Sequence, residues 1–404
     1  MTHESIQASE SQEANRELNR NETDYGIISS VEQNEVINNP ENVGFNLTMD
    51  QFINPRRLKE ISSAQKLIDD VGEESAFDQL SKKYGRPASE IRDVFESSIS
   101  EEMSKLDNFN DYLGTLPDGV SFRVHPFAPM SPFSVENCRH SGEDGDYLYC
   151  DPIAIEQMKA VYNKVNSGEK PGDLSVVMNP YDSERGGNLP ETQDEIQAYS
   201  DMCLKFLEQM GLDHNASGIC LELGNETNVD HSILDSNGEP MFTTEDFADR
   251  ANPKKYAHMY KQVASVIKAN YPNVKVSIAG TAMFDDKYLE SVIKEVDNPD
   301  LIDKISFHPY RETVEEGAPT FENGHCVASP LSYEQQLKRM EELASMAGAT
   351  CDIGEVSFSH EHGVSVDLVE LQKNSAYATK YGNKTFIWPE VQILKFENPH
   401  QKIT

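Results

Sequence analysis

The chain has 404 residues, with 35 Lys and Arg against 69 Asp and Glu, a formal net charge of −34 and a pI near 4.6. So acidic a chain repels a phosphate backbone, which argues against nucleic-acid binding, and no apolar run approaches the ~18–20 residues that span a bilayer. With 37% hydrophobic and 26% charged residues, one large or two medium folded domains are expected.

The start, Met1-Thr2-His3-Glu4-Ser5, carries neither a basic n-region nor an apolar h-region. A cytoplasmic location is therefore the expectation, with unconventional secretion left open. The six cysteines, Cys138, Cys150, Cys203, Cys220, Cys326 and Cys351, show no CxxC and no zinc-ligand spacing. Cys138 and Cys150 flank an acidic loop and have the option of pairing, but without a signal segment reduced thiols are expected.

Residues 1–40 are rich in Glu, Gln, Ser and Asn and poor in aromatics. They bury too little to offset their ordering entropy and read as a disordered acidic tail. From 41 to 404 short apolar runs alternate with amphipathic helices, the pattern of βα units around a parallel sheet. Strands are predicted at 43–47, 120–125, 174–179, 218–223, 274–279, 302–308, 350–354 and 385–388. Between them, Ile196, Tyr199, Cys203, Phe206 and Met210 form one helical stripe; Tyr256, Tyr260, Val263 and Ile267 form another, and Leu337, Met340, Ala344 and Ala347 a third. Asp285-Asp286 and Ser332 suit helix starts, and Gly211, Gly348 and Gly382 suit helix stops.

Eight such units predict a (β/α)₈ TIM barrel. An open doubly wound sheet is the rival, weakened by the lack of a Gly-rich phosphate loop after the first strand. A barrel needs only ~250 residues, so insertions are expected. The largest, at about 54–119, reads as two short helices between Phe77 and Ile99 around Gly85-Arg86-Pro87, with Ser89 as a cap. A helix-turn-helix reader is one interpretation of it, and a helical insert packed on the barrel is the favoured one, because the acidic surroundings repel phosphate. A second insertion, at 128–150, is placed to form a lid or subsite wall above the strand C-termini.

Barrel active sites lie at the C-terminal ends of the strands. There the fourth strand ends Leu223-Gly224-Asn225-Glu226-Thr227, the sixth Phe307-His308-Pro309-Tyr310, the seventh Gly354-Glu355-Val356-Ser357, and the eighth Ile387-Trp388-Pro389. Two carboxylates thus face one mouth, with a His-Tyr pair between them and the chain's only Trp beside them. This pattern resembles the clan A glycoside hydrolases, and Leu-Gly-Asn-Glu within it is similar to the heparanase/β-glucuronidase group and to some arabinofuranosidases. The resemblance implies a retaining glycosidase without cofactor or metal, acting on a carbohydrate.

In that reading Glu226 is the general acid/base and Glu355 the nucleophile. The resemblance further implies that Asn225 bonds the sugar 2-hydroxyl, that Tyr310 donates to Glu355, and that Trp388 is a platform under the reacting sugar. Arg123 is placed to hold the nucleophile's charge. His308, Asn46, His125 and Asn179 are further candidates for lining the site, and Glu222, one pleat before it, reads as a salt-bridged structural acid. Two departures stand out. Thr227 replaces the Pro that usually follows Asn-Glu in the clan, and only 16 residues follow Trp388, so a missing or incomplete eighth helix is the expectation. Two other functions stay open: a catalytically silent carbohydrate-binding barrel, and a metal-dependent barrel hydrolase or isomerase using His125, Glu226, His308 and Glu355. The sugar itself is not specified. The charge of −34 weighs against polyuronates, while Arg123, Arg139, Arg185 and Arg311 keep a local carboxylate pocket, and so glucuronides, open.

Overall fold

Each predicted strand becomes a strand of one closed ring in the computed structural model, which describes residues 43–47, 55–116, 118–125, 131–142, 145–181, 188–228, 251–310, 316–322, 325–356 and 384–387. The ring is built from β1 (Val43–Leu47), β2 (Ser121–Val124), β5 (Leu174–Met178), β6 (Ile219–Leu223), β7 (Lys275–Ile278), β9 (Lys304–His308), β12 (Thr350–Val356) and β13 (Lys384–Ile387). Every neighbouring pair is parallel, in the order β12-β13-β1-β2-β5-β6-β7-β9, and β12 pairs with β9 through Thr350↔Lys304 to Ile353↔Phe307, which closes the barrel. A two-residue strand, β8 (Thr281–Ala282), extends β7 and pairs with the end of β9 at Ala282↔His308. The closed ring excludes the open doubly wound alternative. The tail at 1–40 and the segment after Ile387, with Trp388, lie outside the described residues.

The outer ring includes α5 (Pro152–Val165), α6 (Gln193–Gln209), α7 (Pro253–Asn270), α8 (Asp286–Val296) and α9 (Tyr333–Ala347). Their predicted stripes are all buried. The starts follow capping chemistry: Asp285 accepts from the Tyr288 backbone N–H, and Ser332 and Gln335 form a capping box. Gly348 closes α9 in the left-handed conformation.

The large insertion differs from expectation. It holds three helices, α1 (Pro55–Val71), α2 (Glu73–Tyr84) and α3 (Ala88–Thr115). The apolar positions Leu106, Phe109 and Leu113 carry α3 well past Ile99 and dock it on the barrel. Ser89 is not the cap; Pro87 holds that position at φ −55°, and Ser89 sits inside the first turn. The second insertion contains α4 (Val135–Cys138) and the antiparallel hairpin β3 (Arg139–Gly142) to β4 (Gly145–Leu148). A further hairpin, β10 (Thr320–Glu322) with β11 (His325–Val327), lies after β9.

Side chains alternate across each strand, and the two faces differ. Val176, Met178, Leu221, Leu223, Val276, Ile278, Ile305, Phe307 and Ile353 point outward and join the helices in one apolar core. The inward face is polar: Ser121, Arg123, Ser175, Glu222, Ser277, Lys304, Ser306, His308 and Asp352 are all buried. Barrel interiors are more often filled with bulky branched residues. At the N-terminal floor, the Lys304 ammonium lies 2.7 Å from Asp352 and 3.9 Å from Asp173, and Lys384 lies 2.7 Å from Asp173. Burial alone lowers a lysine pKa, yet Asp352 and Asp173 outweigh it and hold Lys304 charged.

Removing one partner of such a pair strands the other. Lys304→Met is expected to lose about 3–5 kcal/mol of unfolding free energy in denaturant titration, and Asp352→Leu added to it is expected to recover part of that loss.

Candidate active site

At the mouth, β6 runs into a turn that holds Glu226 out of the ordinary backbone range. Gly224 takes φ +107° and Glu226, a residue with a side chain, takes φ +46°. A left-handed carboxylate residue persists only where its neighbours hold it. Here the Glu226 N–H donates to Gly280 O at 2.7 Å. Thr227 accepts from the Tyr288 hydroxyl at 3.0 Å. Asn228 accepts from the Ala282 N–H at 2.8 Å and donates to Ala282 O and to Asp285, each at 3.1 Å. These bonds stitch the turn to the loop after β7, so the missing Pro leaves the turn well anchored.

Glu355 reaches the same point from β12. Its register against β13 shifts between Ile353 and Val356, and such a bulge re-aims a side chain. The carboxylate is buried, with Oε1 accepting from Arg123 at 2.7 Å and Oε2 from the Tyr310 hydroxyl. Burial pushes a carboxylate pKa up, but His308, Arg123 and His125 outweigh it and hold Glu355 at about 2.

Arg123, 1% exposed, uses its whole guanidinium. It donates twice to Glu222, at 2.7 and 2.9 Å, once to Glu355, and to the side-chain oxygens of Asn46 at 3.3 Å and Asn225 at 2.8 Å. Glu222 also accepts from the Gly280 N–H. Arginine has no acceptor, so it fixes the Asn225 amide with its oxygen toward Arg123 and its NH₂ directed elsewhere. The Asn46 amide is occupied on both sides, since its nitrogen donates to Gly354 O and Phe386 O; it ties β1 to β12 and β13.

His308, fully buried, lies between the carboxylates: Nδ1 is 2.7 Å from Glu226 Oε1 and 3.7 Å from Glu355 Oε1. Its Nε2 has no partner among the described residues. A buried orphan N–H costs more than an orphan lone pair, so the proton is assigned to Nδ1, donating to Glu226. His125 is buried one residue beyond β2, and burial holds its pKa down at about 4, so it is neutral at pH 7. Asn179, at the end of β5, is buried, accepts from the Tyr181 N–H at 3.1 Å and donates its own N–H to Phe133 O at 3.3 Å.

Arg123, Asn225, Glu226, His308, Tyr310, Glu355 and Asn46 thus form one connected cluster, with His125 in electrostatic reach. Trp388, Arg185 and Arg311 lie outside the described residues. Two glycines in the cluster were not singled out from sequence. A Cβ on Gly280 falls 2.3 Å from His308 Nε2, and one on Gly354 falls 2.9 Å from it. A glycine within a strand marks a bulge or a close approach: Gly354 lies inside β12, and Gly280 between β7 and β8.

Glu226, His308 and Glu355 each offer a ligand atom, all within 4.8 Å of one another. Three such donors suit a divalent cation in principle. However, both oxygens of Glu355 already accept strong donors, and Arg123 sets a positive charge against the same carboxylate. The donor set therefore fits a paired-carboxylate site better than a metal centre.

No family model and no curated protein matches the chain. Solved structures it resembles include several glycosidases. They include a GH5-4 broad specificity endoglucanase from Clostridium acetobutylicum, with 14% identity, TM-score 0.42 and coverage of 66% of this chain and 75% of that one. Thermotoga maritima Cel5A, solved with a mannotriose substrate, has 12% identity, TM-score 0.41 and coverage of 69% and 82%. The beta-glycosidase BGL167 has 13% identity, TM-score 0.44 and coverage of 70% and 75%.

The site predicts a pH profile of stability. Glu355, Glu222 and His125 all have folded pKa values below their unfolded ones, so the unfolded chain binds more protons in acid. Their contribution is complete above the unfolded values, about 6.5 for His125 and 4.5 for the glutamates. It is lost as the pH falls, through about 4 for His125 and toward about 2 for Glu355. Denaturant titrations from pH 7 to pH 3 are expected to show a steady decline, and Glu355→Gln a shallower one below pH 4.5.

Proposed function

We propose that the protein is a retaining glycoside hydrolase, with Glu355 as nucleophile and Glu226 as acid/base. The observation that carries this reading is the pair of carboxylates, Glu226 and Glu355, with oxygens within 4.8 Å of one another. Retaining enzymes place these groups ~5–5.5 Å apart, whereas inverting enzymes leave ~6.5–9.5 Å for a water. Arg123 and Tyr310 keep Glu355 anionic, as a nucleophile requires. The same donors stabilise it again when it leaves as carboxylate in the second step.

Glu226 accepts from the His308 Nδ1–H on one oxygen, and as general acid it carries its proton on the carboxyl group so held. In the first step that proton passes to the glycosidic oxygen while Glu355 bonds to the anomeric carbon and the C–O bond breaks. In the second, Glu226 takes a proton from water as the hydroxide oxygen attacks that carbon and the glycosyl ester opens. The oriented Asn225 NH₂ suits a sugar hydroxyl beside the reacting carbon. The substrate class is a β-linked or α-L-furanosidic glycoside, a choice that rests on the clan A resemblance.

One kinetic and one stereochemical signature test the assignment. Glu226→Gln is expected to lower kcat about 10²–10⁴-fold on glycosides with poor leaving groups and far less on activated aryl glycosides, since only the former need the proton. NMR of the first-formed hemiacetal is expected to show retained anomeric configuration. Inverted configuration, or an equal loss on both leaving-group classes, contradicts the assignment.

A further inference from the structure

We propose that Cys138 and Cys150 are a disulfide-forming pair, a covalent staple across the insertion that walls one side of the barrel mouth. Their sulfurs lie 3.2 Å apart, and both residues are completely buried. A disulfide bond is ~2.05 Å long, so closure asks for a shift of about one ångström.

The backbone already holds the two residues in place. The hairpin pairs Arg139 with Leu148, and the Tyr149 N–H donates to Cys138 O at 2.8 Å, which sets the cysteines at adjacent strand ends. On one side, Ser134 caps α4, and the Cys138 N–H donates to Ser134 O at 2.9 Å. On the other, the Gln209 side chain grips Cys150, accepting from its N–H at 2.7 Å and donating to its carbonyl at 2.8 Å. The same segment is anchored to the barrel rim. Ser134 bridges to Asn179, Asn179 donates to Phe133 O, and the Phe133 ring packs on Phe206 at 4.8 Å. A bond between the sulfurs thus locks the wall that abuts Asn179.

The chemistry is thiol–disulfide exchange with a small-molecule disulfide such as oxidised glutathione. One protein thiolate attacks that disulfide and expels a thiolate, leaving a mixed disulfide. The second protein thiolate then attacks the mixed disulfide and expels the second thiol. Two S–H bonds are lost, one protein S–S bond forms, and the small disulfide is reduced to two thiols. Burial pushes the Cys138 thiol well up, so exchange belongs to the open segment during folding, and the closed staple is shielded from reduction. A third buried thiol, Cys203 on α6, lies near enough to act electrostatically on the Cys138 and Cys150 pair, so it is the competing partner that the mapping has to tell apart.

The test is refolding of the full chain in buffered oxidised and reduced glutathione, then alkylation in denaturant and peptide mapping. The expected result is a mass lower by two hydrogens, a Cys138–Cys150 cross-linked peptide, and alkylated Cys203. Reduction is expected to lower the thermal midpoint by about 3–8 °C, a shift that Cys138→Ser/Cys150→Ser abolishes and Cys203→Ser leaves in place. Full alkylation of all cysteines after oxidative refolding overturns the proposal, as does a link from either residue to Cys203. The mapping on the wild-type chain decides the question even if the serine variants fail to fold.

Discussion

The organisation of the site depends on one buried cation. Arg123 enters from β2 and meets side chains from β1, β6 and β12 and from the turn after β6. A guanidinium out of water costs several kcal/mol unless its donors are matched, and here carboxylates and side-chain amides match them. Its geometry is what makes it specific: a planar fork addresses Glu222 with two donors and still reaches Glu355 and both asparagines. A lysine in its place would offer one charged centre and could not hold these partners at once. Because Arg123 touches both Glu355 and Asn225, the residue beside Glu226, it draws groups from four strands to the one point where the proposed chemistry needs them.

Below it, the barrel interior continues the same solution in a second layer. Lys304, Asp352, Asp173 and Lys384 form the floor, so charges of both signs are matched across strands rather than left facing apolar side chains. Stability in the usual sense comes from outside, where the apolar strand faces meet the helices. The interior is instead a frame of matched polar groups, and its small residues leave room within it. Gly280 and Gly354 let the His308 ring lie against the backbone, and His308 in turn sits between the two glutamates. The strained backbone at Glu226 belongs to the same economy: the turn is held by Gly280, Ala282, Asp285 and Tyr288, all in or just after the neighbouring loop.

Much of this was readable in the chain before any coordinates. The eight strands stand out because their outward residues are Val, Ile, Leu and Phe, and the helix stripes because their period is unambiguous. The strand-end glutamates, Arg123 and Tyr310 were placed by counting strands. Other features were not legible, for physical reasons. Among the described side chains of the insertion's first helix only Ile61 and Ala64 are buried, and a stripe that thin does not announce itself. Ser89 resembled a cap in type, but Pro87, with its fixed φ, takes the cap position and the helix starts two residues earlier. Gly280 and Gly354 carry no side-chain signal at all; their importance lies in what approaches them. The inward polarity was visible in Lys304-Ile305-Ser306-Phe307-His308, whose alternation separates a charged and polar face from an apolar one, but which face looks inward is decided only by closure of the ring.

The account turns on Glu355 forming a covalent bond to sugar. Intact-protein mass measured after incubation with a panel of 2-deoxy-2-fluoro activated glycosides tests it directly. The expected result is the gain of one fluoroglycosyl mass on the wild-type chain, located by peptide mapping at Glu355 and absent from Glu355→Gln. A protein that turns over aryl glycosides while no probe labels it, or that is labelled at another residue, contradicts the assignment.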